Sequence, residues 1–135
     1  MRVFLDTNVL VSAFATRGLC TDLFELVLLE HDLVLGSNVV RELDKVLRDK
    51  LKLTATRSTE IVEYVSGEAV QIVREAAPSG AAVDADDALV LGEAIAAKAE
   101  VFVTGDAALL ELGAVENVPV VAPRQFWEML QSAKS

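Results

Sequence analysis

The sequence predicts an α/β fold, a three-layer α/β/α sandwich with a mostly parallel central sheet. Short apolar runs too brief for helices, such as RVFL (2–5) and EVFVT (100–104), alternate with longer segments of helical periodicity. Such alternation builds βαβ units, which make the strands parallel and cover both faces of the sheet with helices. Hydrophobic residues make up 53% of the 135 residues, so we expect one domain over residues 1–135 with a substantial core.

The first half of the chain predicts strands and helices in turn. After the strand RVFL come Asp6 and helix-forming residues, and Thr21 is predicted to cap a helix through DLFELVLLE (22–30). HDLVLG (31–36) predicts a second strand, and Ser37 is predicted to cap the helix that follows it. A further helix is predicted to begin near Ser58. EAVQIV (68–73) fits either the end of that helix or a strand, with the strand favoured.

The second half begins with a turn at AAPSGAA (76–82). An alanine- and leucine-rich helix is predicted over DADDALVLGEAIAAKA (84–99), followed by the strand EVFVT. A short helix AALLEL (107–112), a strand VPVVA (118–122) and a terminal helix from Pro123 complete the predicted order.

Charge and composition exclude several classes of protein. Twelve Lys and Arg against 21 Asp and Glu give a net charge of −9, which argues against binding nucleic acid through bulk charge. One cysteine and one histidine exclude an internal disulfide and a Cys/His zinc cluster. The apolar runs fall short of a membrane span and the start does not resemble a signal peptide, so we expect a cytoplasmic protein without membrane contact.

A local basic strip is nevertheless present. Six of the 12 basic residues lie between positions 41 and 57: Arg41, Lys45, Arg48, Lys50, Lys52 and Arg57. The strip fits an RNA contact and a solvated helix face equally well, and the sequence leaves this choice open.

Three aspartates stand where a site is expected. Asp6 and Asp106 follow predicted strands, and parallel strands would direct both to one edge of the sheet, although Asp is also an ordinary helix N-cap there. Asp87 lies on the same helix face as its apolar residues, whereas Asp86 lies on the side of Glu93, which is predicted to face solvent. Asp84 shares the direction of Asp87 if the helix starts early enough.

A fourth acid is less certain from helical geometry, because Glu42 and Asp44 flank their apolar stripe at similar angles. If four carboxylates meet, each pair about 5 Å apart repels by roughly 3 kcal/mol at an effective dielectric near 20. A bound cation relieves this repulsion, and all-oxygen ligands suit Mg²⁺ or Mn²⁺.

Three segments resemble the motifs of the PIN domain, a metal-dependent nuclease fold. They are VFLDTNVL (3–10), SNVVREL (37–43) and DADDALVLGEAIAAKAEVFVTGDAAL (84–109). The resemblance implies that four acids are catalytic and metal-binding residues: Asp6, Glu42, Asp87 and Asp106. It prefers Glu42 to Asp44, and it adds three supporting residues: Asn8, Thr104 and, from the DxDD pattern, Asp84. Gly92 departs from the pattern, in which a larger helix former is common.

The resemblance also implies a function. It implies a Mg²⁺- or Mn²⁺-dependent endoribonuclease acting on RNA, the toxin of a toxin–antitoxin pair, with a homodimeric state and a cognate antitoxin. A dehalogenase-type phosphatase is disfavoured because Asn8 replaces its second Asp, and a phospho-receiver because VPVVAPRQF (118–126) offers no strand-end Lys. A PIN-like metal-binding protein that serves as a non-catalytic partner-binding module stays open as the alternative.

Overall fold

A computed structural model describes residues 1–134 as one six-stranded sheet covered by helices. The strands are β1 (Arg2–Leu5), β2 (Asp32–Gly36), β3 (Gln71–Val73), β4 (Val101–Val103), β5 (Ala114–Val115) and β6 (Val118–Val121). The helices are α1 (Thr7–Ala15), α2 (Leu19–Glu30), α3 (Ser37–Asp49), α4 (Ala55–Glu68), α5 (Ala85–Ala96), α6 (Ala107–Leu110) and α7 (Pro123–Ala133). All strand pairs are parallel except β5 with β6, which confirms the predicted fold class.

The centre of the sheet is buried on both faces. Val3, Phe4 and Leu5 of β1 are all 0% exposed. Because successive side chains of a strand point to opposite faces, helices must cover both sides, which gives the three layers. Phe4 stacks on Phe102, its partner in the neighbouring strand β4, with ring centroids 5.2 Å apart.

In the strand order β3-β2-β1-β4-β6-β5, the topological switch point of the sheet lies between the parallel strands β1 and β4. From β1 the chain builds β2 and β3 outward on one side, and then crosses to the other side for β4 and β6. In open parallel sheets, the carboxyl ends of strands at such a switch form a crevice that binds ligands. Asp6 and Asp106 follow these two adjacent strands.

Two predicted helix caps and one predicted helix start are wrong. Gly18 precedes α2, and the Thr21 hydroxyl lies within hydrogen-bonding distance of the carbonyl oxygens of Ala13 and Thr16. Gly36 precedes α3, while Ser37 is its first residue. Helix α4 begins at Ala55 after its cap Thr54, so Ser58 lies inside the helix and is buried. In each case the hydroxyl group hydrogen-bonds to another part of the tertiary structure, and local preferences for helix caps do not predict such contacts.

Two further details differ from the sequence pattern. EAVQIV divides between the end of α4 and the strand β3, so both interpretations hold in part. The short strand β5 was not predicted, because its hairpin turn Glu116–Asn117 lacks glycine. Both turn residues have positive φ, 46° and 70°, as a two-residue hairpin turn requires.

Gly92 has a packing role in α5. A Cβ at this position would lie 2.0 Å from the carbonyl oxygen of Ala77. The segment after β3 therefore lies directly on α5, and the Ser79 amide donates to the Ala88 carbonyl at 2.8 Å. Within residues 1–134, none of the helices has both the length and the apolar character to cross a bilayer.

Candidate metal centre

Asp6 stands between β1 and α1 and is 7% exposed. Its Oδ1 accepts a hydrogen bond from the Thr7 amide at 2.9 Å, as an N-cap does. Its Oδ2 accepts from the Thr104 hydroxyl at 2.8 Å and from Asn8 Nδ2 at 3.2 Å. Burial raises the pKa of Asp6, and these hydrogen bonds oppose the rise.

The ends of β1 and β4 are joined by a small polar network. Asn8 Oδ1 accepts from the Gly105 amide at 2.7 Å, and Asn8 Nδ2 lies 3.3 Å from the Thr104 hydroxyl. The Thr104 hydroxyl in turn accepts from the Asp106 amide at 3.0 Å and is fully buried. Asn8 and Thr104 therefore hold Asp6 and the backbone before Asp106 in one arrangement.

Asp106 is the N-cap of α6. Its Oδ1 accepts from the amides of Ala108 at 2.8 Å and Leu109 at 3.2 Å. Asp106 thus has the ordinary role of a helix cap, which the sequence had left open. It also lines a cavity together with Asp6.

Asp87 projects from the first turn of α5 and is half-buried, whereas Asp86 is exposed. Within residues 1–134 the Asp87 carboxylate receives no hydrogen bond, whereas its backbone amide donates to Asp84 Oδ1 at 2.8 Å. Burial first, and then the neighbouring negative charges, raises the pKa of Asp87 to about 6. Those charges are Asp84, Asp106, Asp6 and Glu42.

Helix α3 directs Glu42 toward Asp6 and Asp87 and directs Asp44 away from them. Burial and the charge of Asp6 raise the pKa of Glu42. Asp44 instead accepts from the Ser58 hydroxyl at 2.6 Å and pairs with Arg48 at 2.9 Å. The helical wheel could not separate these two acids, because Ser58 belongs to another helix.

One cavity of about 320 Å³ is lined by all four acids, Asp6, Glu42, Asp87 and Asp106. Thr7, Asn8, Lys50 and Asp86 also line it. A groove of about 480 Å³ between α3 and α5 adjoins it, sharing Glu42 and Asp87 as lining residues. Asp84 lines the groove and not the cavity, so its place differs from that of the four acids.

The charges in this cavity are poorly compensated. Among residues 1–134 the ion pairs are Arg48–Asp44, Arg57–Glu60 and Lys134–Glu30, none of which includes the four acids. Lys50 lines the cavity and lowers the pKa of Glu42, but it forms no ion pair there. Four carboxylates therefore share a small space without a matching set of cations.

The donor set suits a hard divalent ion, although no cage is preformed. No three acidic, His or Cys side chains among the described residues lie close enough to hold an ion as they stand. Mg²⁺ keeps several of its waters and binds through one or two carboxylates, so it does not require such a cage. The buried Thr7 hydroxyl, which lowers the pKa of Glu42 yet makes no hydrogen bond of normal geometry, is a further oxygen at this site.

Fold and cavity together define a parallel α/β protein with an acidic, all-oxygen site at the switch point of its sheet. The sequence profile of the PIN domain matches residues 2–108. The chain therefore belongs to the PIN-domain family, as the motifs predicted. A comparison with curated protein sequences finds no match.

Solved structures show the same fold. One is the crystal structure of VapBC2 from Rickettsia felis bound to a DNA fragment from their promoter, with TM-score 0.66 and 17% identity over 90% of this chain and 98% of the matched chain. Another is VapBC-1 from nontypeable Haemophilus influenzae, with TM-score 0.66 and 14% identity over 92% of this chain and 99% of the matched chain.

Sequence reasoning missed several residues around the site. Thr7 and Asp86 line the cavity, but both are residue types that are common on protein surfaces and neither showed a periodic signal for the site. Lys50, predicted only as part of the basic strip, lines the cavity as well. Glu93 was predicted to face solvent and is 2% exposed, so that prediction is wrong. Its side of α5 is covered by the start of α3, a contact between distant parts of the chain.

Proposed function

We propose that this protein is a divalent-metal-dependent endoribonuclease that hydrolyses RNA phosphodiester bonds. The observation that carries the proposal is Asp87, whose carboxylate has neither a hydrogen-bond donor nor an ion-pair partner among residues 1–134 and faces the charges of three other acids in one cavity. Such an arrangement is costly without a ligand, because like charges at short range repel and burial disfavours ionisation. Membership of the PIN-domain family, a family of nucleases, supports the reaction class.

The four acids would hold Mg²⁺ or Mn²⁺ directly or through water. When bound, such an ion supplies a nucleophile from water at neutral pH and offsets negative charge on the phosphate. Thr104 and Asn8 hold the Asp6 carboxylate in one orientation by donating to its Oδ2, as groups behind metal ligands do. Thr7 would support Glu42 in the same way. Asp84 positions the first turn of α5, and with it Asp87.

The groove beside the cavity offers a path for the RNA backbone. Of the basic strip, Arg41, Lys45 and Lys50 line this groove, whereas Arg48 and Arg57 form ion pairs elsewhere. Arg41 and Lys45 stand on either side of Glu42 along one face of α3, where residues four apart are neighbours. They would contact phosphates next to the one being cleaved.

The matched VapBC structures support the further proposal of a toxin with a cognate antitoxin. Both are structures of VapBC, and in the first VapBC2 is bound to a DNA fragment from their promoter. For this chain, a protein antitoxin that blocks the acidic cavity is a proposal, as is the homodimer that the family resemblance implies. The cytoplasmic location expected from the composition is likewise a proposal. Light scattering of the purified protein measures the oligomeric state directly.

A second candidate, a non-catalytic metal-binding module, is favoured by one observation. Asp6, Asp84 and Asp106 each cap a helix, so the fold itself would retain these acids without any reaction. Asp87 and Glu42 have no such role, which favours the nuclease.

The test combines cleavage of a mixed RNA pool with calorimetric Mn²⁺ binding. Wild type is compared with Asp6→Asn and with the pair Glu42→Gln and Asp44→Asn, two acids of one helix of which only Glu42 lines the cavity. We expect Asp6→Asn and Glu42→Gln to lose at least about 100-fold in cleavage and Asp44→Asn to retain it. Mn²⁺ binding without cleavage by wild type supports the binding module, and equal cleavage by wild type and Asp6→Asn contradicts the nuclease.

A further inference from the structure

A fifth carboxylate, Glu93, is buried outside the acidic cavity. It belongs to α5, six residues after Asp87, and is 2% exposed. Burial raises the pKa of Glu93, while hydrogen bonds from Asn38 and Ser37 oppose the rise. Burying a carboxyl group this deeply costs free energy unless hydrogen bonds compensate for its lost hydration. The proposed reaction does not use it.

Among the described residues, the hydrogen bonds of the Glu93 carboxylate are all between its Oε2 and the beginning of α3, and its buried Oε1 has no hydrogen-bond partner. Its Oε2 accepts from the Asn38 amide at 3.2 Å, from Asn38 Nδ2 at 3.2 Å and from the Ser37 hydroxyl at 3.1 Å. The N-cap of α3 is Gly36, which has no side chain to satisfy these first amides. Glu93 therefore caps α3 from another helix, with its negative charge at the positive end of the helix dipole.

The absence of a side chain at Gly36 leaves room for the Glu93 side chain. A Cβ on Gly36 would lie 2.2 Å from Glu93 Oε1 and 2.6 Å from Glu93 Cβ. The Ser37 hydroxyl also lies 3.0 Å from the Arg74 carbonyl oxygen, just after β3. The end of β2, the start of α3 and the middle of α5 are thus fitted together around one side chain.

These contacts bear on two of the four acids of the cavity, Glu42 and Asp87. Helix α3 carries Glu42, four residues or roughly 6 Å beyond Asn38, and α5 carries Asp87, roughly 9 Å before Glu93. Near the cavity a groove lies between the two helices. Across residues 1–134, the hydrogen bonds that join α3 to α5 all involve Glu93.

We propose that Glu93 is a positioning residue that sets α3 against α5 and thereby sets the placement of Glu42 relative to Asp87 for the divalent ion. This inference rests on the proposed metal-dependent function. Glu93 acts through the two helices and touches neither the ion nor RNA.

A role in stability alone predicts a different result from a positioning role. Both roles predict that Glu93→Ala lowers the unfolding temperature, because the Asn38 amide loses its acceptor. Only positioning predicts a change in the half-saturating Mn²⁺ concentration of protein that is still folded. Ser58→Ala is the matched control, because the buried Ser58 hydroxyl also bonds α3, through Asp44 on the side away from the cavity.

The experiment titrates Mn²⁺ into wild type and variants by calorimetry, well below the lowest unfolding temperature, and measures RNA cleavage at the same Mn²⁺ concentrations. For Glu93→Ala we expect the half-saturating Mn²⁺ concentration to rise about tenfold, the lower end of the range for residues behind metal ligands. Ser58→Ala should change it less than twofold. Glu93→Gln keeps an oxygen acceptor for Asn38 and should restore most of the affinity.

An unchanged half-saturating concentration in folded Glu93→Ala overturns the proposal, as does an equal rise in Ser58→Ala. If Glu93→Ala does not fold, Ser37→Ala decides, with a two- to fourfold rise expected and no change contradicting the proposal. The wild-type titration and cleavage test the proposed function by themselves, while the ratio of variant to wild type tests Glu93, so the two failures are distinguishable.

Discussion

The two halves of the acidic cavity are built differently. On the side of the sheet, Asp6 receives donors from Thr7, Thr104 and Asn8, and Asp106 receives two backbone amides. On the side of the helices, Asp87 receives no hydrogen bond from residues 1–134, and Glu42 has the Thr7 hydroxyl and the charge of Lys50 nearby. The sheet side is organised before any ligand binds, while the helix side carries unrelieved charge. Loss of an acid should therefore lower the free energy of unfolding on the sheet side and raise it on the helix side.

The largest expected effect is metal stabilisation of wild type that depends on the helix side. A ligand that binds only the folded state at 100 times its Kd stabilises it by about 2.7 kcal/mol. We expect Mn²⁺ to raise the free energy of unfolding of wild type by about this amount and Asp87→Asn to lose most of it. Urea unfolding with Mn²⁺ or with EDTA measures the difference. The same stabilisation in both proteins would show that Asp87 is no ligand.

On the sheet side, Asp6→Ala should destabilise the metal-free protein. Its removal leaves the buried Thr104 hydroxyl and the Thr7 amide without their acceptor, at a cost of about 2–3 kcal/mol. Asp106→Ala, which removes a half-exposed cap, should cost about 1 kcal/mol. Urea unfolding in EDTA measures both, and an Asp6→Ala variant as stable as wild type would contradict the preorganised network.

On the helix side, Asp87→Asn should stabilise the metal-free protein above pH 7. The raised pKa means that the folded state holds the proton more tightly than the unfolded chain, so wild-type stability falls as pH rises from 3.8 through about 6. The full shift corresponds to about 3 kcal/mol, and solvent screening at a half-buried site reduces this to about 1–2 kcal/mol.

The advantage of Asp87→Asn over wild type should vanish near pH 4, where the carboxyl is protonated in wild type as well. The exposed neighbour provides a matched control, since Asp86→Asn removes the same charge and should change stability by less than about 0.5 kcal/mol. Unfolding in EDTA at several pH values makes the comparison. A lower stability for Asp87→Asn at pH 7.5 would remove the argument for an unrelieved charge.

The smallest effect concerns the groove that continues the helix side. Arg41→Gln with Lys45→Gln should weaken binding of single-stranded RNA to an inactive Asp6→Asn background and lower the slope of log K against log salt by about 1.4, two phosphate contacts. Arg48→Gln, on the same helix but paired with Asp44, is the control and should leave the slope unchanged. Equal slopes in all three proteins would place the RNA elsewhere.

Much of the fold and part of the site follow from local sequence patterns. Alternating apolar runs and helical periodicity predicted the parallel sheet. Asp6 and Asp106 were identifiable because Asp6 directly follows β1 and Asp106 comes three residues after β4. Asp87 was identifiable because it lies on the apolar face of α5. These signals are carried by neighbours two to four residues apart, which a single sequence displays.

Apart from the short strand β5, the sequence by itself determined the order of strands and helices, since side-chain periodicity distinguishes a strand from a helix. Helical geometry left Glu42 and Asp44 equivalent, and the tertiary structure separates them through Ser58 of α4. The tertiary structure also places Glu93 under the start of α3. It also determined that the hydroxyl groups of Ser37 and Thr21 hydrogen-bond to Glu93 and Ala13, respectively, and do not cap their own helices. The physical reason is that these contacts join residues far apart in the chain, and their energies depend on how whole elements pack.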